Sequence, residues 1–402
     1  MYQNQRAYQY TLSKTGCAPL ASFVEFGART VGRLAAGLGC LKYRSGISFE
    51  QLMELSHKVD SIYPLPVSSA AEAPALLPAD PAVDVSVVMP VHNGEAFLEH
   101  ALDCVLQQNT SRRLQVIVVE DGSTDRSVEI LTRYAQAGEI TFLQPDPPGG
   151  TAAQARNLGI QCATGRYLMF VDCDDLLCPD AVEQLCNAAE ELDADIVQGG
   201  WYYLDENDSK GSAQQYPRHL YTGATRLDAL ELPGVPWGKL FRRELFAQIR
   251  FPASYSCFED AVIHVLVFQT ARRIASVPGL VIGWRKNSAG LTSTSQHAPR
   301  ALQAYWIMEE LLAQHYRLDL AEDAFFQTNT LLQLSNYCYV CVSGMAEDET
   351  RAVFACCALL YQNLDLPELP GLPYAARLAR RALSTGNFEL WKLQGRLFQL
   401  IA

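Results

Sequence analysis

From residue 85 to 204, short apolar runs alternate with longer segments whose apolar residues fall on one helical face. Strand character falls at 85–90, 114–119, 140–143, 166–171 and 195–204, and helix character at 96–107, 127–137, 151–162 and 179–192. In the first helical segment Phe97, Ala101, Leu102, Val105 and Leu106 share a face. Gly138 stops the second, Pro145-Asp-Pro-Pro-Gly-Gly150 is a turn, and Pro179 opens the last in its first turn. Alternation with short connections predicts an α/β fold, a mostly parallel sheet with helices on both faces. Such sheets bind ligands outside the carboxyl ends of their strands.

Four stretches fall at that edge. The apolar run Tyr167-Leu-Met-Phe170 feeds into Val171-Asp-Cys-Asp-Asp175. Unpaired carboxylates resist desolvation, so three acids at the end of a buried strand require a positive partner. Asp172 and Asp174 alternate in an extended segment and can face one site. Hard cations such as Mg2+ or Mn2+ take oxygen ligands and bridge carboxylate to phosphate. The plainer reading is a strand end whose acids cap the next helix, and Asp175 is placed to do so before Pro179.

Glu120-Asp-Gly-Ser-Thr-Asp125 follows the second strand; Gly122 permits a tight turn, and Ser123 or Thr124 can cap the next helix. Capping does not account for Asp121. Pro90-Val-His-Asn93 ends the first strand, with Asn93 placed to cap the following helix; His92 has no partner nearby in sequence and is given no catalytic role. Gly149-Gly150 lets backbone approach a ligand, and Arg156 and Asn157 come next, between the two acidic loops. There Arg156 can reach a phosphate or a carboxylate, or be an ordinary surface arginine.

Farther on, Trp237-Gly-Lys-Leu-Phe241, Phe258-Glu-Asp260 and Trp284-Arg285 carry chemistry-bearing residues. Trp237 is either a sugar-stacking platform or a core aromatic. Lys239 and Arg285 either neutralise a diphosphate or are exposed charges. Of Glu259 and Asp260, one can cap the apolar segment beginning at Ala261 while the other stands as a general base.

Taken in order, these motifs resemble the inverting family 2 glycosyltransferases with a GT-A (Rossmann-like) fold, of the bacterial surface-polysaccharide type. The resemblance rests on 86–93, 118–125, 155–159, 165–175, 237–241 and 258–260, and spans roughly 84–295. It implies that Asp121 reads the nucleotide base, Asp172 sits near the ribose, and Asp174 with Asp172 holds Mg2+ or Mn2+. Asp260 would be the catalytic base with Glu259 beside it. Pro90, Val91, Asn93, Glu120, Asp121, Arg156, Asp172, Cys173, Trp237, Lys239 and Arg285 would bind the nucleotide sugar. The expected reaction moves one sugar, most simply from a UDP-linked donor, to a hydroxyl of a surface glycan or lipid-linked acceptor. His92 stands where the family commonly has an aromatic, and no QxxRW-type motif is present, Trp284-Arg285 having the reverse order. With no apolar stretch reaching the ~18–20 residues of a membrane span, this argues against a processive cellulose-, chitin- or hyaluronan-type synthase. Two alternatives are a catalytically inactive nucleotide-sugar sensor or scaffold in a glycan-assembly complex, and, more weakly, a nucleotidyltransferase. Having both Asp174 and Asp260 favours the enzyme.

The expected organisation is an N-terminal helical extension (1–66, with helical patches at 21–41 and 49–59), a Pro- and Ala-rich linker (67–83), the GT-A domain (84–297) and a helical C-terminal region (298–402). Residues 205–222 form a polar excursion, a loop or hairpin. Hydrophobic residues at 49% against 19% charged allow a large core. The net charge of −12 argues against nucleic acid as a partner. Residues 1–45 nevertheless hold six Lys/Arg against Glu25, and 374–402 five against Glu389. Basic ends on an acidic body suggest peripheral contact with anionic lipid on the inner face of the cell membrane; ordinary solvated helix faces are the plainer reading and stand ahead of it. In 374–402, Leu378, Leu383, Leu390, Trp391, Leu397 and Ile401 fit either a membrane-interface segment or packed helices, interrupted at Gly386-Asn387. Glu25, Arg29 and Arg33 break any secretory signal, so the 12 cysteines are expected reduced, in a cytoplasm. Cys338-Tyr-Val-Cys341 reads as helix packing, with no second pair at zinc spacing.

Overall fold

The computed structural model describes residues 47–62, 74–286 and 302–399. The chain forms two compact units, one of residues 68–293 with 314–320, the other of 1–67, 294–313 and 321–402. The helical patch expected at 21–41 and the basic stretch 1–45 lie outside the described residues.

The first unit is built on a ten-stranded sheet. Its strands are β1 (Val85–Val91), β2 (Leu114–Glu120), β3 (Thr141–Leu143), β4 (Tyr167–Phe170), β5 (Leu176–Leu177), β6 (Ile196–Leu204), β7 (Lys210–Gln214), β8 (His219–Tyr221), β9 (Lys239–Arg242) and β10 (Ile274–Arg285). They run β3-β2-β1-β4-β9-β6-β10-β5, with β7 on β6 and β8 on β10. β1, β2, β3 and β4 are parallel, β9 is antiparallel to both β4 and β6, and β10 is parallel to β6. The polar excursion is a hairpin, with β7 folding back on β6.

Four helices cover this sheet: α1 (Leu98–Leu106), α2 (Ser127–Gln136), α3 (Ala152–Cys162) and α4 (Ala181–Glu191). All seven residues of β1 are buried, as a strand covered on both faces must be. Val85, Val87, Met89 and Val91 share a core cluster with Leu98, Leu102 and Val105 of α1, Leu131 of α2 and Leu185 of α4. Val88 points to the opposite face, where α3 lies so close that a Cβ at Gly159 would fall 2.3 Å from Val88 Cγ1. Phe170 packs edge-on against Phe241, Phe246 and Phe251 at 5.4–6.0 Å.

Register decides where the loops go. Val91 lies opposite Glu120, and Val88 opposite Phe170, so β1, β2 and β4 end at one edge. The order β2-β1-β4 also reverses direction beside β1, and a crevice opens at such a switch point. Residues 74–83 have no regular structure but are pinned to this unit. Arg250, Arg243 and Arg113 donate to the carbonyls of Pro74, Leu77 and Pro81 at 2.6–2.8 Å.

The second unit is helical. Phe49–Ile62 packs along Glu347–Asn363, burying Leu52 completely. Ala324–Leu332, a π turn at Gln333–Tyr337 and Cys338–Val342 form a continuous stretch that buries both Cys338 and Cys341. Tyr374–Ser384 and Phe388–Gln399 turn at Gly386, whose φ of 61° favours glycine and whose carbonyl accepts from Ile47 N at 3.0 Å. Leu383, Leu390, Trp391 and Phe398 are buried, and Trp391 Nε1 donates to Leu334 O at 3.0 Å. The membrane-interface reading of this tail is therefore corrected: its apolar face is used inside the unit. Among the described residues no helix is long and apolar enough to cross a membrane.

Gly159 is fixed by the closeness of α3 to β1, not by its dihedrals. Gly159→Ala should destabilise the protein by about 1–3 kcal/mol through overpacking, measured by urea unfolding.

Candidate active site

The turns after β1 and β2 are joined by side chains. His92 Nδ1 lies 2.8 Å from Asp121 O. Asn93 N donates to Ser123 Oγ at 2.9 Å, and Asn93 Oδ1 accepts from Thr124 N at 2.8 Å. Gly94 N donates to Ser127 Oγ, and Glu95 N to Asp125 Oδ2. Three capping expectations are thereby corrected. Asn93, held at φ 53°, clamps the neighbouring turn and does not cap α1. Asp125, through Ser127 N, meets the start of α2 in place of Ser123 or Thr124. Asp175 is buried, and its Oδ1 accepts from Arg285 N at 2.8 Å.

Behind these turns Pro90 and Val91 are buried strand residues. Glu120 is fully buried and accepts from Ser123 N and from Gln144 Nε2. Asp121 Oδ1 accepts from Gly149 N, so the Gly149 amide serves a carboxylate of the protein itself. Pro148 lies against Gly122. Cys173 Sγ packs toward Gly94, and burial, then Asp174 and Asp172, hold its thiol protonated.

Arg156 ties the remaining acids together. Its Nη2 donates to Asp172 Oδ1 and its Nη1 to Glu259 Oε1, each at 2.8 Å, with the side chain 6% exposed. The guanidinium lies over the Phe251 ring at 5.5 Å. Burial opposes its charge, but the two carboxylates outweigh burial and raise its pKa further. Asn157 fixes the same neighbourhood by exchanging hydrogen bonds with Phe251 main chain at 2.8 and 2.9 Å. Asp172 at the β4 tip and the 258–260 turn, where Phe258 has φ 66°, are thus held at one place. Asp260 comes directly after Glu259 and is half-buried. Burial, then the charge of Glu259, pushes its carboxyl up to about 7 against the opposing Arg156.

Three expected ligand contacts are corrected. Lys239 is fully buried, and its Nζ donates to Pro233 O and Val235 O at 2.7 Å each. Burial drives its pKa well down, with Asp260 opposing. Arg285, 1% exposed, donates from Nε to Asp174 O at 2.7 Å and from Nη1 to Asp205 O at 2.6 Å, and pairs with Asp208 through Nη2. Neither cation is open to a diphosphate; both hold loops at the site. Trp237 is a core residue, 7% exposed and stacked on Trp284 at 6.0 Å.

The acids after β4 offer the oxygen donors that a hard divalent cation takes. Burial, then the charges of Asp172 and Asp174, raises the Asp175 carboxyl well above its ordinary range. Asp174 is half-buried, and Asp172 keeps 27% side-chain exposure beside Arg156. Among the described residues no group of three or more His, Cys, Asp or Glu side chains closes a metal site alone. A cation here needs oxygens from a bound ligand, as Mg2+ commonly does.

A family model described as glycosyl transferase family 2 matches residues 86–250. The chain is 30% identical over 224 residues to Glycosyltransferase GlyG of Streptococcus pneumoniae, covering 52% of this chain and 73% of that protein. It is 31% identical over 218 residues to the uncharacterized glycosyltransferase EpsJ of Bacillus subtilis, covering 52% and 62%. It is 27% identical over 195 residues to poly(ribitol-phosphate) beta-glucosyltransferase of Bacillus spizizenii, covering 48% and 30%. In fold it is similar to S. aureus TarS 1-349 in complex with UDP-GlcNAc, with a TM-score of 0.63 at 18% identity over 79% of this chain and 92% of that one.

Removing the guanidinium strands two largely buried carboxylates. Arg156→Met should cost about 3–5 kcal/mol in chemical denaturation. Arg156→Lys should recover less than half of that, since an ammonium lacks the planar fork that spans both partners.

Proposed function

The chain belongs to glycosyltransferase family 2, and from that premise we propose that it transfers a single sugar, with inversion, from a nucleotide-diphosphate donor to a hydroxyl of a surface glycan or lipid-linked acceptor. It is a glycosyltransferase of the GT-A fold; donor, metal and stereochemistry are the reading's own content. The observation that carries it is the bridge from Asp172 through Arg156 to Glu259, which holds a carboxylate suited to base catalysis next to the acids after β4. Surface-glycan synthesis is suggested by relatives whose names concern teichoic acid and poly(ribitol-phosphate), and a UDP-linked donor by the UDP-GlcNAc bound to TarS.

In this reading Asp121 meets the base and Asp172 the ribose. Asp174, with Asp172, would hold Mg2+ or Mn2+, which supplies charge neutralisation to a departing nucleoside diphosphate. Asp260 takes the proton of the acceptor hydroxyl. A base is most effective when its pKa lies near working pH, because it is then both ionised and basic enough; burial beside Glu259 brings Asp260 to about 7. Arg156 holds Glu259 in place beside Asp260, and Glu259 raises its neighbour without itself reacting. Attack by the activated hydroxyl opposite the leaving group inverts the anomeric carbon. One base suffices, unlike the carboxylate pair of glycosidases.

Four measurements test this. Asp260→Asn should leave nucleotide binding intact by thermal shift and lower turnover ~100-fold or more; near-normal turnover would place the base elsewhere. Because the ionised carboxylate is the active form, kcat/KM should fall as pH drops through about 7. A screen of nucleotide sugars with Mn2+ should raise the melting temperature for the true donor class, and Asp174→Ala should remove the Mn2+-dependent part.

A further inference from the structure

We propose that the hollow at the tip of the β6–β7 hairpin, walled by Tyr203, the hairpin residues and Lys286, with Trp201 and Trp284 packed behind Tyr203, binds a pyranose ring of the acceptor glycan. This rests on the reading above that the acceptor is a saccharide. β6 presents Trp201 and Tyr203 on one face, and β10 sets Trp284 directly opposite Tyr203 with Lys286 two residues on. The rings touch: Trp201 and Tyr203 are 4.9 Å apart, Tyr203 and Trp284 5.4 Å, Trp201 and Trp284 6.3 Å. Trp237 closes the back of the cluster and is buried, whereas Trp201, Tyr203 and Trp284 stay partly open.

An aromatic edge that merely finished the core would be covered by the hairpin beside it. Here β7 brings Gly211 against Tyr203, and a Cβ there would lie 3.2 Å from Tyr203 Cβ. The missing side chain helps leave a hollow of about 580 Å³, rimmed by Asn207, Ser209 and Ser212. That size is within the ~300–1,000 Å³ usual for small-molecule sites. Lys286 Nζ stands 4.1 Å from the Tyr203 ring centre. The ammonium covers one face of that ring and offers a donor to a hydroxyl, and an aromatic ring among donors and acceptors matches a sugar, whose C–H face is apolar and whose rim is hydroxyl. The hairpin tip is held in place, because Arg285 binds Asp205 O and Asp208, and His100 Nδ1 lies 3.1 Å from Asp208.

Position supports the same occupant. Along the edge of the sheet come β2 with Asp121, β4 with the paired acids, then β9 and β6. Adjacent strands are about 4.8 Å apart, so the aromatic cluster begins two strands, ~10 Å, from the acids and on the side away from Asp121. Trp237 pairs with Phe170, and Arg285 bonds Asp174 O, joining cluster and acid loop. A ring held there is an inner residue of the acceptor chain, leaving the terminal hydroxyl free to reach Asp260.

The test is saturation-transfer NMR on the full chain with methyl glucoside, methyl galactoside, methyl N-acetylglucosaminide, cellobiose, lactose and chitobiose at millimolar concentration. At least one saccharide should take up saturation from aromatic protons. Tyr203→Ala, which removes the platform, and Gly211→Val, which fills the hollow, should each weaken that binding ~10-fold or more, a loss of about 1.4 kcal/mol. Thermal shift by UDP on the same samples should be unchanged, showing that both variants fold. No saccharide signal in the wild-type protein, or an undiminished signal in both variants, overturns the proposal. Absence of any nucleotide-induced shift in the wild type would instead overturn the donor reading, while the saccharide signal still reports on this hollow.

Discussion

One guanidinium holds the candidate site together. Arg156 stands on α3, and its two hydrogen bonds join a strand tip to a turn more than 80 residues later in the chain. The arrangement is costly in isolation, because a buried arginine and its carboxylates all lose hydration. It persists because Nη1 and Nη2 each meet a carboxylate at 2.8 Å, although Nε has no partner, and because Phe251 supports the guanidinium from its face. The consequence is electrostatic: Glu259 is fixed beside Asp260, and the Asp260 carboxyl becomes harder to ionise. A structural ion pair thus tunes the chemistry of a group it does not include.

Much of the sheet is legible in the sequence because β1, β2, β4 and the first half of β6 are predominantly apolar runs between amphipathic helices. β9 and β10 are not legible in the same way. β9 is four residues long and starts on a lysine, and β10 carries Pro278 and Gly279 inside it with a register shift between Ser276 and Leu280. Charge type misleads at Lys239 and Arg285, since both are satisfied by backbone carbonyls, those of a turn just upstream for Lys239 and those of loops far away in sequence for Arg285. Caps fail for a related reason. Asn93, Ser123 and Thr124 have the chemistry of helix caps, but parallel register sets the two turns side by side, and their side chains bond across the gap. Of the candidate site, the acids at 172–175 and 259–260 are readable from position alone; the arginine that unites them is readable only as a candidate.

The helical unit shows a different limit. Phe49–Ile62 and Glu347–Asn363 are neighbours in space and far apart in sequence. Each looks like part of a separate extension until the packing is known. The tail residues 374–399 likewise have an amphipathic pattern that suits a lipid surface or a protein interior, and burial of Trp391 against Leu334 decides between them.

β9 runs against both of its neighbours, so it enters the sheet at the edge where β4 and β6 leave it. The residues before it, through Trp237 and Gly238, therefore line the ligand edge from the upstream end of a strand. In a purely parallel sheet, that edge is furnished only by the loops leaving the strands. A reversed strand adds a supplier that can lengthen or change sequence upstream, between 222 and 238, without disturbing any parallel connection. The room to vary lies at exposed positions of that segment such as Asp228 and Glu231, because Ala229, Leu230, Leu232 and Trp237 are buried and the carbonyls of Pro233 and Val235 hold Lys239.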